Sequence, residues 1–123
     1  MAAGSSSRNR AVGVGVWLPM LVDEDRLVRE IRRLGELVAR ALGRRTVEAE
    51  AEADDAVGEL HRSLLGLETT ATRRLHPRSL AAMVPAHHVA AVIALLRADA
   101  ELLEARGEQP LAALRHAQAD ALT

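Results

Sequence analysis

Residues 26–59 read RLVREIRRLGELVARALGRRTVEAEAEADDAVGE. The part up to Arg45 holds seven arginines and two glutamates, whereas the part from Thr46 to Glu59 holds six acids and no base. Side chains three and four residues apart share one face of a helix, so each part forms a charged stripe when it is drawn as a helix. The pattern predicts two neighbouring helices of opposite charge that pair as a helical hairpin.

The two charged stripes are the candidate interaction surface of the chain. They consist of Arg26, Arg29, Arg33 and Arg40 on the first helix and of Glu48, Glu52, Asp55 and Glu59 on the second. In one hand of an antiparallel hairpin the stripes meet along an outer seam, where exposed ion pairs contribute about 0 to 1 kcal/mol each. In the other hand they lie on opposite flanks and form a bipolar surface for another copy. The sequence leaves the handedness open.

The composition favours one small all-α domain. The chain has 123 residues, of which 49% are hydrophobic, and Trp17 is its only aromatic residue. Alanine and leucine, the strongest helix formers, dominate, while residues that favour strands are scarce. The formal net charge of −1 gives no electrostatic reason to expect a nucleic acid as a partner. The absence of cysteine excludes disulfides and thiolate catalysis, and fits a cytoplasmic protein.

Two long helices are predicted in the first half of the chain. Helix A covers about residues 24–42, with Asp23 as its N-cap and Gly43 as its stop. Helix B covers about Val47–Leu65 and ends at Gly66. The apolar period predicts their buried faces: Leu27, Ile31, Leu34, Val38 and Leu42 on helix A, and Ala53, Val57, Leu60 and Leu64 on helix B.

Three more helices are predicted after a polar connection over residues 68–74. Helix C starts at Pro77 and runs to residue 84, helix D covers about residues 86–106, and helix E starts at Pro110. Helix D is apolar around much of its circumference, which predicts that it is the central helix. Its main face comprises Val89, Val92, Ile93, Leu96, Ala100 and Leu103, extended by Leu95 and Leu102. Helix E presents Leu111, Leu114, Gln118, Ala121 and Leu122.

The N-terminal residues form a separate region in this interpretation. We expect residues 1–22 to be a disordered or weakly ordered extension and residues 23–123 to be a single domain. Residues 11–22 are apolar, but the run lacks a signal-peptide cleavage site and is too short to span a bilayer. An alternative use for this run, with Trp17, is to lie on a membrane surface. Met20 is an alternative to Met1 as the start of translation.

Residues 96–122 read LRADAELLEARGEQPLAALRHAQADAL and resemble one tetratricopeptide-like hairpin. The small packing positions fall on Ala100, Ala112 and Ala119, the turn glycine falls on Gly107, and His116 stands where an aromatic residue is commoner. Residues 25–43, DRLVREIRRLGELVARALG, with the acidic helix after them, look like the opening of a bacterial domain-of-unknown-function family with tetratricopeptide-like helices. The resemblance implies a compact bundle of about five helices arranged as antiparallel hairpins, and it implies no catalytic activity.

Candidate chemical groups are few and lack a motif. The histidines are His61, His76, His87, His88 and His116, with no H-E-x-x-H and no Glu-x-x-His pair among them. Metal sites need several converging ligands, so we expect ordinary surface or boundary histidines. The carboxylate pairs are Glu101 with Glu104 and Asp54 with Asp55, and each pair lies among charges that we expect to be solvated.

The segment 73–96 has a faint helix-turn-helix outline. Its second helix carries only Arg97 and Arg106 as bases, too few for a helix that lies in a DNA groove. The sequence therefore predicts a non-enzymatic helical interaction module, without a cofactor, that binds a protein partner or itself. The alternatives are a small metal-binding or enzymatic helical protein that uses the histidines, and a weak helix-turn-helix DNA binder.

Overall fold

The described residues 12–123 form six α-helices and no strand. Short turns separate these helices. This computed structural model describes the backbone of those residues and the side chains from residue 25 onward. The helices are α1 (Val12–Arg44), α2 (Val47–Leu65), α3 (Thr69–Thr72), α4 (Pro77–Met83), α5 (Val89–Ala105) and α6 (Gln109–Asp120), with a 3₁₀ turn at Ala86–His88. The predicted all-α fold class is confirmed.

The chain forms two units, Met1–Glu30 and Ile31–Thr123. In the first unit, the described side chains of Val28 and Arg29 are exposed and that of Leu27 is half-buried. The second unit contains the remainder of α1 and all other helices. The sequence predicts an N-terminal extension over residues 1–22. The side chains of these residues lie outside the described part of the structure, so the extension stays a prediction.

Helix α1 differs from the prediction at both ends. It begins at Val12 rather than after a cap at Asp23, because an aspartate inside a helix costs only about 0.7 kcal/mol at most and does not force a start. It also continues through Gly43 to Arg44. Arg45 takes the left-handed conformation there, with φ 56°, and its Nη2 donates to the carbonyl of Ala105 at 3.1 Å. The left-handed conformation costs a non-glycine residue about 1 kcal/mol, and the amide of Arg45 closes the helix by donating to the Ala41 carbonyl at 2.9 Å.

Helix α2 has the predicted bounds, and its predicted buried residues Ala53, Val57, Leu60 and Leu64 are all buried. Thr46 caps it by accepting a hydrogen bond from the Ala49 amide at 3.1 Å. Gly66 ends it with φ 69°, the left-handed conformation that glycine adopts without steric cost. The bounds of α2 were predictable because threonine is a favoured N-cap residue and glycine is a favoured residue at the C-terminal end of a helix.

The remaining helices lie within one to three residues of their predicted bounds. The largest difference is at the start of helix D, where residues 86–88 form the 3₁₀ turn and α5 begins at Val89, and the polar connection contains the extra helix α3. Helix α5 packs most extensively with α6 and also with α2, in agreement with a central position. Arg97 in the middle of α5 binds Asp120 at the end of α6, at 2.7 Å, and Glu104 at the end of α5 lies 3.1 Å from His116, which precedes Asp120 by one turn, so the two helices run antiparallel. Gly107, with φ 78°, makes the turn between them.

Candidate functional site: an apolar groove beside a buried polar network

A groove separates α1 from α5 within the second unit. Its volume is about 330 Å³, and it is open to solvent. The walls come from one face of each helix at three- and four-residue spacing. They comprise Ile31, Leu34, Gly35, Val38, Ala39 and Leu42 on α1, and Ala94, Arg97, Ala98 and Glu101 on α5.

The groove explains why the predicted buried face of α1 is partly wrong. Leu34 and Val38 are buried as predicted, but Ile31 and Leu42 are only half-buried. Leu37 and Ala41, which the sequence did not assign to that face, are buried in addition. On the groove side, two of the four facing residues of α5 are alanines, Ala94 and Ala98, whose single methyl groups are too short to cover the larger aliphatic side chains of α1. A strip of apolar surface therefore stays open.

Packing against residues 25–123 does not require glycine at position 35. A Cβ atom built at this position meets no heavy atom within 4 Å, and its φ does not require glycine. At Gly58 on α2, by contrast, a Cβ would contact Arg62 Nη1 at 3.6 Å. Glycine inside a helix costs about 1 kcal/mol relative to alanine. Gly35 thus weakens α1 while leaving space in the groove wall.

The two charged residues of the groove differ in their partners. Arg97 donates to Asp120 at 2.7 Å and to His116 Nδ1 at 2.8 Å, so α6 already neutralises it. His116 in turn lies 3.1 Å from Glu104 through Nε2. Glu101 is exposed and makes no hydrogen bond or ion pair with any other residue in the range 25–123. The unmatched charge of the groove is therefore negative.

On the opposite side of α5, a polar network is buried in the core. Arg115 of α6 is fully buried, and its Nε donates to Asp99 Oδ2 at 2.7 Å. Arg73 donates to both oxygens of the same carboxylate, at 3.2 and 2.7 Å. Asp99 is 1% exposed, and its carboxylate accepts three charge-assisted hydrogen bonds from these two arginines. Burial lowers the pKa of Arg115, and the Asp99 carboxylate opposes that shift.

The other nitrogens of Arg115 bind neutral groups. Nη1 donates to Gln118 Oε1 at 2.7 Å, and Nη2 donates to Thr72 Oγ1 at 2.9 Å and to His61 Nε2 at 3.1 Å. Gln118 then donates to the backbone carbonyls of Thr72 and Leu75, each at 2.9 Å. The network therefore joins α2, α3, α5 and α6 through a single guanidinium group.

His61 is held in one protonation state by this arrangement. Its Nδ1 donates to the Val57 carbonyl at 2.8 Å, so Nε2 is the acceptor for Arg115. Burial lowers the pKa of His61 from its ordinary value of 6.5 to about 4, and the Arg115 charge adds to the shift while the Val57 carbonyl opposes it. His61 is a neutral core residue at pH 7.

The network leaves no buried group for a substrate. Within residues 25–123, the one buried side-chain polar atom without a hydrogen-bond partner is His88 Nδ1, which lies outside the network. Polar networks of this kind rigidify a core when every member is satisfied. The geometry thus assigns the network a structural role and leaves the groove as the open surface.

The predicted charged stripes meet at one place in the second unit. Arg40 Nη1 lies 3.4 Å from Glu52 Oε1, near the turn between α1 and α2, and both side chains are about half exposed. This contact corresponds to the outer-seam arrangement at that point. Two acids outside the stripe, Glu50 and Asp54, bind Arg106 at 3.3 and 2.8 Å. Use of the stripes as an interaction surface stays a prediction.

The remaining stripe residues are exposed: Arg26 and Arg29 in the first unit, and Arg33, Glu48, Asp55 and Glu59 in the second. The candidate carboxylates Asp54, Asp55, Glu101 and Glu104 are exposed as well. The described part of the chain contains no group of three or more histidines and acids placed to hold a metal ion. Only His87 and His88 lie together, with ring centroids 4.1 Å apart.

Sequence reasoning missed the buried network. It placed Gln118 on the presented face of helix E, and gave Asp99, Arg115 and Thr72 no role. One signal was available: Asp99 lies within the apolar arc of α5, three or four residues from leucines on either side. A charge in such an arc is buried, and buried charges need partners. Arg115, in contrast, looks like an ordinary helix-surface residue.

No known protein family, characterised protein or solved structure matches the chain. The family resemblance drawn from the sequence therefore stays a prediction. None of the described helices, taken alone, is both long and apolar enough to cross a membrane, although α4 together with the 3₁₀ turn and α5 meets that criterion as a pair bent by 109°.

Proposed function

We propose that the chain is a non-enzymatic helical module that binds another protein or a second copy of itself, and that the groove between α1 and α5 is its binding surface. The observation that carries this proposal is the groove itself, which leaves Ile31 and Leu42 partly uncovered. Single exposed apolar side chains are ordinary, but a contiguous apolar patch marks an interaction site.

The buried network supports a non-enzymatic role. His61 and Arg115 are the buried groups with shifted pKa values, and their side-chain nitrogens are hydrogen-bonded to other groups of the core. A catalytic acid or base needs a partly free, accessible group with a suitable pKa. Arg73, one of the bases of the helix-turn-helix outline, is bound to Asp99 instead of being available to a phosphate.

The tetratricopeptide-like arrangement and a bacterial, cytoplasmic setting are parts of the same proposal. Burial of Ala100, Ala112 and Ala119 and the left-handed Gly107 support the arrangement of α5 and α6. The cysteine-free sequence fits a reducing compartment.

The test is site-specific photo-crosslinking in the native host. A benzophenone amino acid replaces Ala39 in the groove wall or Ala51 on α2, two exposed helical alanines. We expect a discrete protein adduct from position 39 and none from position 51. An adduct at twice the mass of the chain identifies a second copy. Absence of an adduct at position 39, or equal adducts at both positions, would contradict the proposal.

A further inference from the structure

The walls of the groove restrict the kind of backbone that can enter it. Both walls are α-helices, whose interior N–H and C=O groups are already bonded along the helix. An extended segment in the groove would find no backbone partners there, and unpaired buried backbone groups are costly. The occupant must therefore satisfy its own backbone, as a helix does.

The length of the groove sets the length of that helix. On α1 the lining extends from Ile31 to Leu42, a rise of about 16 Å at 1.5 Å per residue. About three helical turns fit along α1, and about two of them also face α5, whose lining extends from Ala94 to Glu101. Gly35 and Ala39 on one wall and Ala94 and Ala98 on the other are small, so the axis of a third helix can approach both walls closely.

The concave shape argues against two grooves that face each other. A two-fold axis through the groove would place two depressions opposite one another and enclose an apolar cavity, which is unfavourable in a packed interface. A convex ridge, such as one face of a helix from another molecule, fills the depression instead.

The charge at the groove specifies the flank of that helix. Arg97 is neutralised by Asp120, whereas Glu101 has no partner in residues 25–123. Arg45 contacts the carbonyl of Ala105, one turn beyond Glu101, so Glu101 lies near the Leu42 end of the groove. A base on the occupant at that end would match the free carboxylate.

We propose that the groove binds an amphipathic helix of about three turns from a different protein, with an apolar stripe against Ile31 and Leu42 and a lysine or arginine beside Glu101. This inference rests on the proposed function and adds the class of partner. The apolar stripe supplies the affinity, and the Glu101 pair sets the register of the helix in the groove.

The experiment is a display selection on the full chain with a library of randomised three-turn helices on a fixed helical scaffold. We expect the enriched helices to share an apolar stripe at three- and four-residue spacing and a base near one end. Their binding should weaken at least tenfold in Ala39→Arg and remain unchanged in Ala51→Arg, the matched exposed alanine on α2. Circular dichroism melts of both variants confirm that each is folded.

Charge is tested with a second matched pair. We expect Glu101→Gln to weaken the selected helices about two- to fivefold and to reduce their salt dependence, since an exposed ion pair contributes modestly. Glu108→Gln, at an exposed glutamate just before α6 that lies in neither the groove lining nor the charged stripes, should leave binding unchanged. Enriched helices with acidic flanks, or an equal effect of the two glutamine variants, would overturn the assignment of a basic partner.

Failure of this inference is separable from failure of the proposed function. If sedimentation equilibrium finds a dimer that Ala39→Arg dissociates, the groove is an interaction surface but its occupant is a second copy, which overturns the inference alone. If selection yields no helix that depends on Ala39, and the chain is a monomer, both are overturned.

Discussion

On the α6 side of α5, the Asp99 carboxylate is 1% exposed and is bound by two arginines, whereas on the α1 side Ala94 and Ala98 border an open groove. The usual expectation is that apolar surface is covered and charge is exposed. Here the charged side is closed and the apolar side is open. Directional hydrogen bonds fix the first side in one geometry, and the second side is free to receive a partner.

The sharpest test of this contrast is Arg115→Leu, measured by urea denaturation at pH 7. Removal of the guanidinium leaves Asp99 with Arg73 alone and leaves the acceptors of Gln118 and His61 unpaired. We expect the free energy of unfolding to fall by about 3–5 kcal/mol, the usual cost of breaking a buried ion pair.

The control is Arg62→Leu, which breaks an exposed pair with Glu68 at 3.2 Å. Its expected cost is about 0 to 1 kcal/mol. Similar losses in Arg62→Leu and Arg115→Leu would mean that the network does not anchor the closed side.

A second test uses pH. Unfolded His61 binds a proton near pH 6.5, whereas the folded residue does so only near pH 4, so unfolding takes up a proton between these values. The contribution to stability is complete above pH 6.5 and is lost as pH falls toward 4, by on the order of 3 kcal/mol. His61→Gln should flatten this part of the profile of unfolding free energy against pH. Identical slopes for the two proteins between pH 6.5 and 5 would rule out His61 as the source.

The smallest effect concerns the open side. Gly35→Ala should raise the free energy of unfolding by about 0.5–1 kcal/mol, because the added methyl group meets only open space and alanine favours the helix. Gly107→Ala should lower it by about 1 kcal/mol, because φ at Gly107 is 78°. Both changes are measurable by thermal or urea unfolding. A destabilising Gly35→Ala would indicate that α1 packs more tightly there than the groove implies.

Helices with their own end signals could be predicted from the sequence. Thr46 and Gly66 bracket α2, and Pro77 begins α4, so local chemistry determines these ends. The C-terminal end of α1 was misplaced, because the left-handed residue that closes it is Arg45, with its amide bonded to the Ala41 carbonyl at 2.9 Å, and not the glycine that the sequence offers at Gly43; the side chain of Arg45 also contacts the carbonyl of Ala105, sixty residues away along the chain. Sequence periodicity has no access to such a contact.

The same limit applies to the candidate site. Periodicity identified the apolar face of α1, but whether Ile31 and Leu42 are covered depends on the size of the side chains opposite them on α5. The buried network was missed because Arg115 and Gln118 are ordinary residues for a helix surface, and only the position of Asp99 in an apolar arc hinted at burial. Charge stripes were visible in the sequence, yet only the Arg40–Glu52 pair closes in the second unit.

The α1 wall of the groove is held in place along its length. Leu34, Val38 and Ala41 are 1%, 3% and 1% exposed, and beyond the Leu42 end Arg45 donates to the Ala105 carbonyl of α5. The shape of this wall therefore comes from packing inside the chain and not from a partner. A preformed surface loses little conformational entropy when a partner binds, so more of the binding free energy of the apolar contact is retained.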